Sequence, residues 1–341
     1  MSTPAEDGFF MPAEWTPHAR CWMAWPCREA LWGDGLDAAR LAYAEVAKTI
    51  AEFEPVTMIA NPEDVAEVSL RCGARVACLP MPHDDSWLRD NGPIFVVDGK
   101  GGLAGVDWRF NGWGERYRPF DKDAALAATL LEHLEVPRFA APMVLEGGAV
   151  IVDGEGTLLT TEQCLLNPNR NPELSRGEIE ERLRGYLGVR QVVWLGQGLQ
   201  DDETDGHVDN LACFARPGVV LALTSDDPKD GNYEILQDNL ARLRAARDAK
   251  GRELEVVELP QPKRMEGADG RRLGRSYINF YIANGGIVLP SFEDSKDDDA
   301  HEILERCFPD HDVRQVSASD IVVGGGGIHC ITQQQPAVDK A

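Results

Sequence analysis

Four short segments carry side chains able to do chemistry, and each stands just before or at the start of an expected turn-linked strand pair. Asp90 lies in Ser86-Trp-Leu-Arg-Asp-Asn-Gly-Pro93, and Glu146 in Leu145-Glu-Gly-Gly-Ala149. His207 and Asp209 share Asp205-Gly-His-Val-Asp-Asn210, and Cys330 ends Gly324-Gly-Gly-Gly-Ile-His-Cys330. If the segments are equivalent parts of a repeated unit, carboxylates, an imidazole and a thiol could meet although hundreds of residues separate them. That set suits a guanidinium, which is planar, cationic and a poor electrophile. Carboxylates grip it with paired, charge-assisted hydrogen bonds. A thiolate attacks its carbon if a bound cation or an imidazolium lowers the thiol pKa. A histidine then protonates departing ammonia and activates water.

Each residue alone has a plainer reading. Asp90 before Asn-Gly-Pro could simply organise a turn. Glu146 could accept backbone amides, and His207 and Asp209, two apart in a strand, would face one side of any solvated strand. Cys330 is one of eight cysteines, and buried inert cysteine is the usual state. Its setting differs, because four glycines allow close backbone approach and polar Thr332-Gln-Gln-Gln335 follows. The remaining cysteines, at 21, 27, 72, 78, 164, 213 and 307, read as core. Other motifs fail on spacing. Asp201, Glu203, Asp205 and Gly206 imitate an EF-hand start, but position twelve is Ala212. His301-Glu302 lacks a second histidine, the glycine run lacks Lys-Ser/Thr, and Gly-x-Ser-x-Gly does not occur.

Periodicity supplies the elements that must position these residues. A helix over 37–53, with Tyr43, Val46, Ile50 and Phe53 on one face, precedes a strand at 56–60. The same pair is expected at 121–134 with 139–145, 175–187 with 189–195, 233–249 with 254–260, and 298–307 with 313–323. The third helix has the clearest ends, with Ser175 and Glu178 as a capping box and Gly188 as its stop. Hairpins are expected at 94–108, 149–161, 208–223 and 277–289, the first turning at Asp98-Gly-Lys-Gly101 and the last at Ala283-Asn-Gly-Gly286. Their spacing of roughly sixty residues suggests an internal repeat. A fifth hairpin would be split between a strand near 21–25 and one near 328–334, two halves that need not pair. Five units in a closed ring are favoured over an open α/β sheet, since no Gly-x-Gly-x-x-Gly turn leads into a helix.

The bulk numbers agree. The 341 residues are 43% hydrophobic and 27% charged, ordinary for a globular chain. A net charge of −23 disfavours nucleic acid and would concentrate a cationic substrate, although solubility alone explains an acidic surface. No apolar run is long enough to span a bilayer, and the first thirty residues do not read as a signal peptide. Cysteines without a CxxC pair then read as reduced thiols in the cytoplasm. A homo-oligomer such as a dimer is compatible with the sequence.

Nearly end to end, the chain resembles the agmatine deiminases of the guanidino-group-modifying (pentein) superfamily. The matching segments include Met11-Pro-Ala-Glu-Trp15, Trp87-Leu-Arg-Asp-Asn-Gly-Pro93, Phe110-Asn-Gly-Trp-Gly114 and Leu145-Glu-Gly-Gly148. Further matches are Asp202-Glu-Thr-Asp-Gly-His-Val-Asp-Asn210, the segments 158–172 and 277–286, and Gly325-Gly-Gly-Ile-His-Cys-Ile-Thr-Gln-Gln-Gln-Pro336. The resemblance implies a five-fold pseudosymmetric α/β propeller, one closed domain over 1–341, without a metal or organic cofactor. It implies conversion of agmatine and water to N-carbamoylputrescine and ammonia through a covalent thiouronium on cysteine, a step toward putrescine and other polyamines. It puts the nucleophile on Cys330, the acid/base on His207, the guanidinium-binding carboxylates on Asp90 and Asp209, a further acid on Glu146 and a pocket wall on Trp87. Asn91 departs from the Thr common at that place, which touches only fine specificity. The alternatives are a deiminase of free or peptidyl arginine, an amidinotransferase, or a non-catalytic guanidine-binding protein on the same scaffold.

Overall fold

The computed structural model describes residues 2–338, and among these the strands form five small mixed sheets. Four are built alike, from an antiparallel hairpin whose second strand pairs in parallel with the strand after the next long helix. Ile94–Val97, Leu103–Arg109 and Arg138–Val144 make one, with helix Asp121–His133 in the crossover. Ile151–Val152, Thr157–Thr161 and Gln191–Leu195 make the next, across helix Arg176–Leu187. Ala212–Arg216, Val219–Thr224 and Glu255–Pro260 follow with Tyr233–Ala245, then Tyr281–Ala283, Gly286–Ser291 and Asp312–Ser317 with Asp297–Cys307. A parallel pair needs such a crossover, and the amphipathic helix buries its apolar stripe against the sheet it spans.

The fifth sheet joins the two ends of the chain. His18–Ala24 pairs antiparallel with Thr332–Pro336, Cys21 opposite Gln334 and Met23 opposite Thr332, and in parallel with Val56–Ala60. The two halves left open by the sequence do pair. Helix Leu36–Ile50 buries Tyr43, Val46 and Ile50 beneath this sheet. The expected capping box is present at Ser175 and Glu178, and Gly188 ends that helix in the left-handed region at φ 68°. A Cβ there would also meet the Phe10 Cβ at 2.7 Å.

Two expectations are corrected. The final strand stops at Ser317, because residues Ser319–Val322 turn into a short helix that buries Ile321 and Val322. The first unit also contains an unforeseen helix Val65–Cys72 and edge strand Val76–Pro80. That strand, Val-Ala-Cys-Leu-Pro, is an unbroken apolar run with only Val76 buried, so no alternation marks it as a strand. No helix among the described residues is long and apolar enough to cross a membrane.

Candidate active site

The hairpins begin where the units touch. Asp90 rides on the one-turn helix Leu88–Asn91, and Glu146 immediately precedes the turn Gly147–Ala149. His207 stands before the turn Val208–Asn210, which contains Asp209. The two are therefore not alternating positions of a strand, as expected; the tight turn brings both side chains inward. Cys330 lies in the turn before Thr332–Pro336. The unit of Tyr281–Ala283 contributes Asn279, two residues before that hairpin strand.

Gly148 shows how closely the groups gather. A Cβ there would lie 2.6 Å from His207 Nδ1 and 2.9 Å from both Asp209 Oδ2 and Asp90 Oδ1. Its N–H donates to Asp90 Oδ1 at 3.0 Å, while Trp113 Nε1 donates to Asp90 Oδ2 at 2.8 Å. His207 Nδ1 is 3.7 Å from Asp90 Oδ1, and Nε2 is 3.9 Å from Glu146 Oε2. Arg170 Nε donates to Glu146 Oε1 at 2.6 Å. The Cys330 sulfur sits 3.6 Å from Asp209 Oδ2, with the Asn279 amide beside it, Nδ2 at 3.3 Å and Oδ1 at 3.5 Å. All of these side chains are buried.

Burial sets the protonation states, with neighbours opposing or reinforcing it. Burial pushes the Cys330 thiol well above its ordinary value, and the Asp209 and Asp90 charges add to this. Burial also raises Asp90, helped by Asp209 and Glu146 and opposed by His207. For His207 burial would lower the pKa, but Asp90, Cys164 and Glu146 outweigh it and hold the ring well above the usual range. Burial would raise Glu146, yet Arg170 and His207 bring it down to about 2. Of the two ways considered for lowering the thiol, a bound cation or an imidazolium, the resting site favours the first, since the charges raising Cys330 are carboxylates.

Several site residues escaped the sequence reading. His329 bridges Asp209 Oδ2 through Nδ1 and Glu14 Oε1 through Nε2, each at 2.9 Å. Glu14 and Asn279 both lie in quoted family-like segments, and Asn279 occupies the same place in its unit as the named residues, which was the available signal. Cys164, read as core, is buried but faces the site; its sulfur, a His207 nitrogen and a Glu146 oxygen all lie within 4.8 Å of one another, the one such metal-ligand trio among the described residues. Trp113 owes its position to a run of positive φ at Gly112, Trp113, Gly114 and Glu115 that the two glycines make possible.

A narrow cavity reaches Cys330 between Trp87, Asp90, Trp113, Tyr117 and Gly326. Trp87 thus stands at the wall expected of it, stacked on Trp32 with ring centroids 5.9 Å apart. Glu203 and Tyr117 line both this cavity and an outer chamber of about 380 Å³ that also meets Asp201, Asp202, Asp269, Arg271 and Arg272. The Tyr117 hydroxyl donates to Glu203 Oε2, and Arg271 Nη1 lies 2.8 Å from Glu203 Oε1.

The sequence profile of the Porphyromonas-type peptidyl-arginine deiminases matches residues 10–336. The agmatine deiminase of Pseudomonas aeruginosa (strain LESB58) is 49% identical over 363 residues, covering 100% of this chain and 99% of the relative. The solved agmatine deiminase of Enterococcus faecalis superimposes with a TM-score of 0.96 at 39% identity, covering 98% of each chain. A dimethylarginine dimethylaminohydrolase structure shares the fold alone, with a TM-score of 0.52 at 12% identity, covering 93% of this chain and 99% of that one. With its five sheets closed around an Asp, Glu, His and Cys cluster, this chain belongs to the agmatine deiminase family, within the group described as Porphyromonas-type peptidyl-arginine deiminases.

Proposed function

We propose that the chain is a cytoplasmic agmatine deiminase whose five units form one catalytic domain, hydrolysing agmatine to N-carbamoylputrescine and ammonia. The observation that carries this reading is the cavity itself: Asp90 and Cys330 line it together with the acid Glu203. A guanidinium at the inner end meets Asp90 and Asp209, and an alkylammonium reaching Glu203 gains a second ion pair. The free thiols of all eight cysteines support a reducing compartment.

The mechanism follows from the protonation states. Cys330 rests as a thiol among carboxylates; the substrate cation supplies the opposing charge that allows its proton to leave to solvent. The thiolate attacks the guanidinium carbon, forming the C–S bond. His207, protonated at neutral pH, gives its proton to one amino group, and the C–N bond breaks to release ammonia. The resulting thiouronium, RNH–C(=NH2+)–S–Cys330, is attacked by water whose proton His207 now accepts. Loss of the hydroxyl proton to solvent and breakage of the C–S bond give the ureido product and free the thiolate. Asp209, held by His329, and Asp90, held by Trp113 and Gly148, keep the carbon in line with the sulfur.

A second reading, free arginine, is favoured by one observation: Arg271 at the cavity mouth is a cation that an α-carboxylate could meet. Ammonia release should be measured from agmatine, arginine and a blocked arginine peptide, with a chelator present. Turnover of agmatine far above the other two is expected. Preference for arginine or the peptide would overturn the substrate, and silence on all three would favour a guanidine-binding role.

A further inference from the structure

We propose that Glu146, Cys164 and His207 form an inhibitory binding site for a borderline-soft divalent cation of the zinc class. Their three ligand atoms come from separate segments, lie within 4.8 Å of one another and are buried. Neither His207 ring nitrogen nor Glu146 Oε2 has a hydrogen-bond partner in the protein, and unsatisfied groups at this depth are costly. The 3.9 Å between His207 Nε2 and Glu146 Oε2 is too long for a hydrogen bond. It is close to the roughly 3.5 Å that separates two ligands of a tetrahedral zinc ion, given metal–ligand bonds of about 2.0–2.3 Å. Closing the trio onto one ion therefore takes side-chain shifts of about an ångström or less.

The donor set selects the ion. Thiolate and imidazole favour zinc or cobalt over magnesium or calcium, which prefer oxygen. Arg170 bonds the other Glu146 oxygen and is itself paired with Asp205 Oδ2 at 2.8 Å, so the free carboxylate oxygen stays directed at the trio and the guanidinium charge is offset. On binding, Cys164 releases its thiol proton and His207 its ring proton to solvent, and each donates the freed lone pair to the ion. Three protein ligands leave a fourth position for water. The ion then holds Nε2 and the ring loses the second proton, so His207 no longer cycles between imidazolium and imidazole at Nδ1, the nitrogen that faces Asp90; this inhibitory consequence rests on the deiminase reading above, whereas the binding does not.

Cobalt(II) should be titrated into the whole enzyme while the near-ultraviolet thiolate-to-cobalt charge-transfer absorption is followed. The band is expected in the wild type and in Cys330→Ser, and should vanish in Cys164→Ser and in Cys164→Ala. Loss in Cys330→Ser with retention in both Cys164 variants would move the ion to the nucleophile and overturn the proposal, as would no band in any form. In parallel, zinc should inhibit wild-type agmatine turnover, with a concentration for half-inhibition at least tenfold higher in whichever Cys164 variant folds. Equal sensitivity would overturn the site. If the chain turned over no guanidine at all, the cobalt band would still test the ligands, which separates failure of this site from failure of the deiminase reading.

Discussion

Cys330 is surrounded by the wrong charges for a resting thiolate. Its nearest ionisable contact is Asp209 at 3.6 Å, and both burial and carboxylates raise its pKa. The free enzyme should accordingly react slowly with a neutral alkylating agent such as iodoacetamide. Because only the thiolate reacts, the inactivation rate of the free enzyme should still be climbing at pH 9. A plateau below pH 8 would show a thiol already activated without substrate and would remove the substrate-assisted step. Asp90, Glu146, His207, Asp209 and Cys330, which the fold brings together, could be singled out because Asp, Glu, His and Cys in glycine-rich surroundings are unusual. Asn279 and His329 were not, since a neutral amide and a histidine beside a more conspicuous cysteine announce nothing until their partners are known. Cys164 was indistinguishable from the other buried cysteines: nothing in Thr160-Thr-Glu-Gln-Cys-Leu-Leu166 marks it, and its significance lies in the His207 that the next unit places against it.

At the scale of elements, the hairpin entrances act as interlocking parts, and Gly148 is where the tolerance is smallest. Gly148→Ala puts a methyl within 3 Å of His207, Asp209 and Asp90 at once. Displacements of about an ångström cost on the order of 10²-fold in rate, so kcat/KM for agmatine should fall at least that far while the fold survives. Activity within a few-fold of wild type would mean the three groups do not hold the arrangement described. The five helix and strand pairs could be read from apolar period and turn chemistry, with boundaries within a few residues except the last strand, which stops at Ser317 rather than 323. What escaped was whatever lacked a period: the edge strand Val76–Pro80, the short helix Ser319–Val322, and the turn Val208–Asn210, whose His-Val-Asp alternation imitates a strand. In that last case the inference about facing residues reached the right neighbourhood through the wrong backbone.

For the whole molecule, buried ions stitch distant parts of the chain together. Glu14 near the N-terminus meets His329 near the C-terminus, and Arg89 Nη1 reaches Gln333 at 2.8 Å and Glu14 at 3.4 Å. Burial would raise Glu14, but His329 and Arg89 bring it down to about 2, and Glu146 is likewise held at about 2. Both lie below the ordinary 4.5. Such carboxylates contribute stability that is complete above 4.5 and is lost as pH falls from there toward 2, on the order of 3 kcal/mol for each. Thermal melts should therefore drop steeply between pH 5 and 3, and Glu14→Gln should lower Tm at neutral pH while flattening that drop. An unchanged slope in the variant would take Glu14 out of the acid response. None of this pairing was visible in the sequence, because partners 315 residues apart carry no local pattern.

The pairing of His18–Ala24 with Thr332–Pro336 has a consequence for biosynthesis. As the chain leaves the ribosome, the first strand waits without its antiparallel partner until about three hundred further residues have been made. Cys330, the proposed nucleophile, emerges only two residues ahead of that partner. No nascent fragment can present the reactive sulfur beside its acids, so the enzyme is silent until the ring closes, and the act that completes the fold also switches on the chemistry.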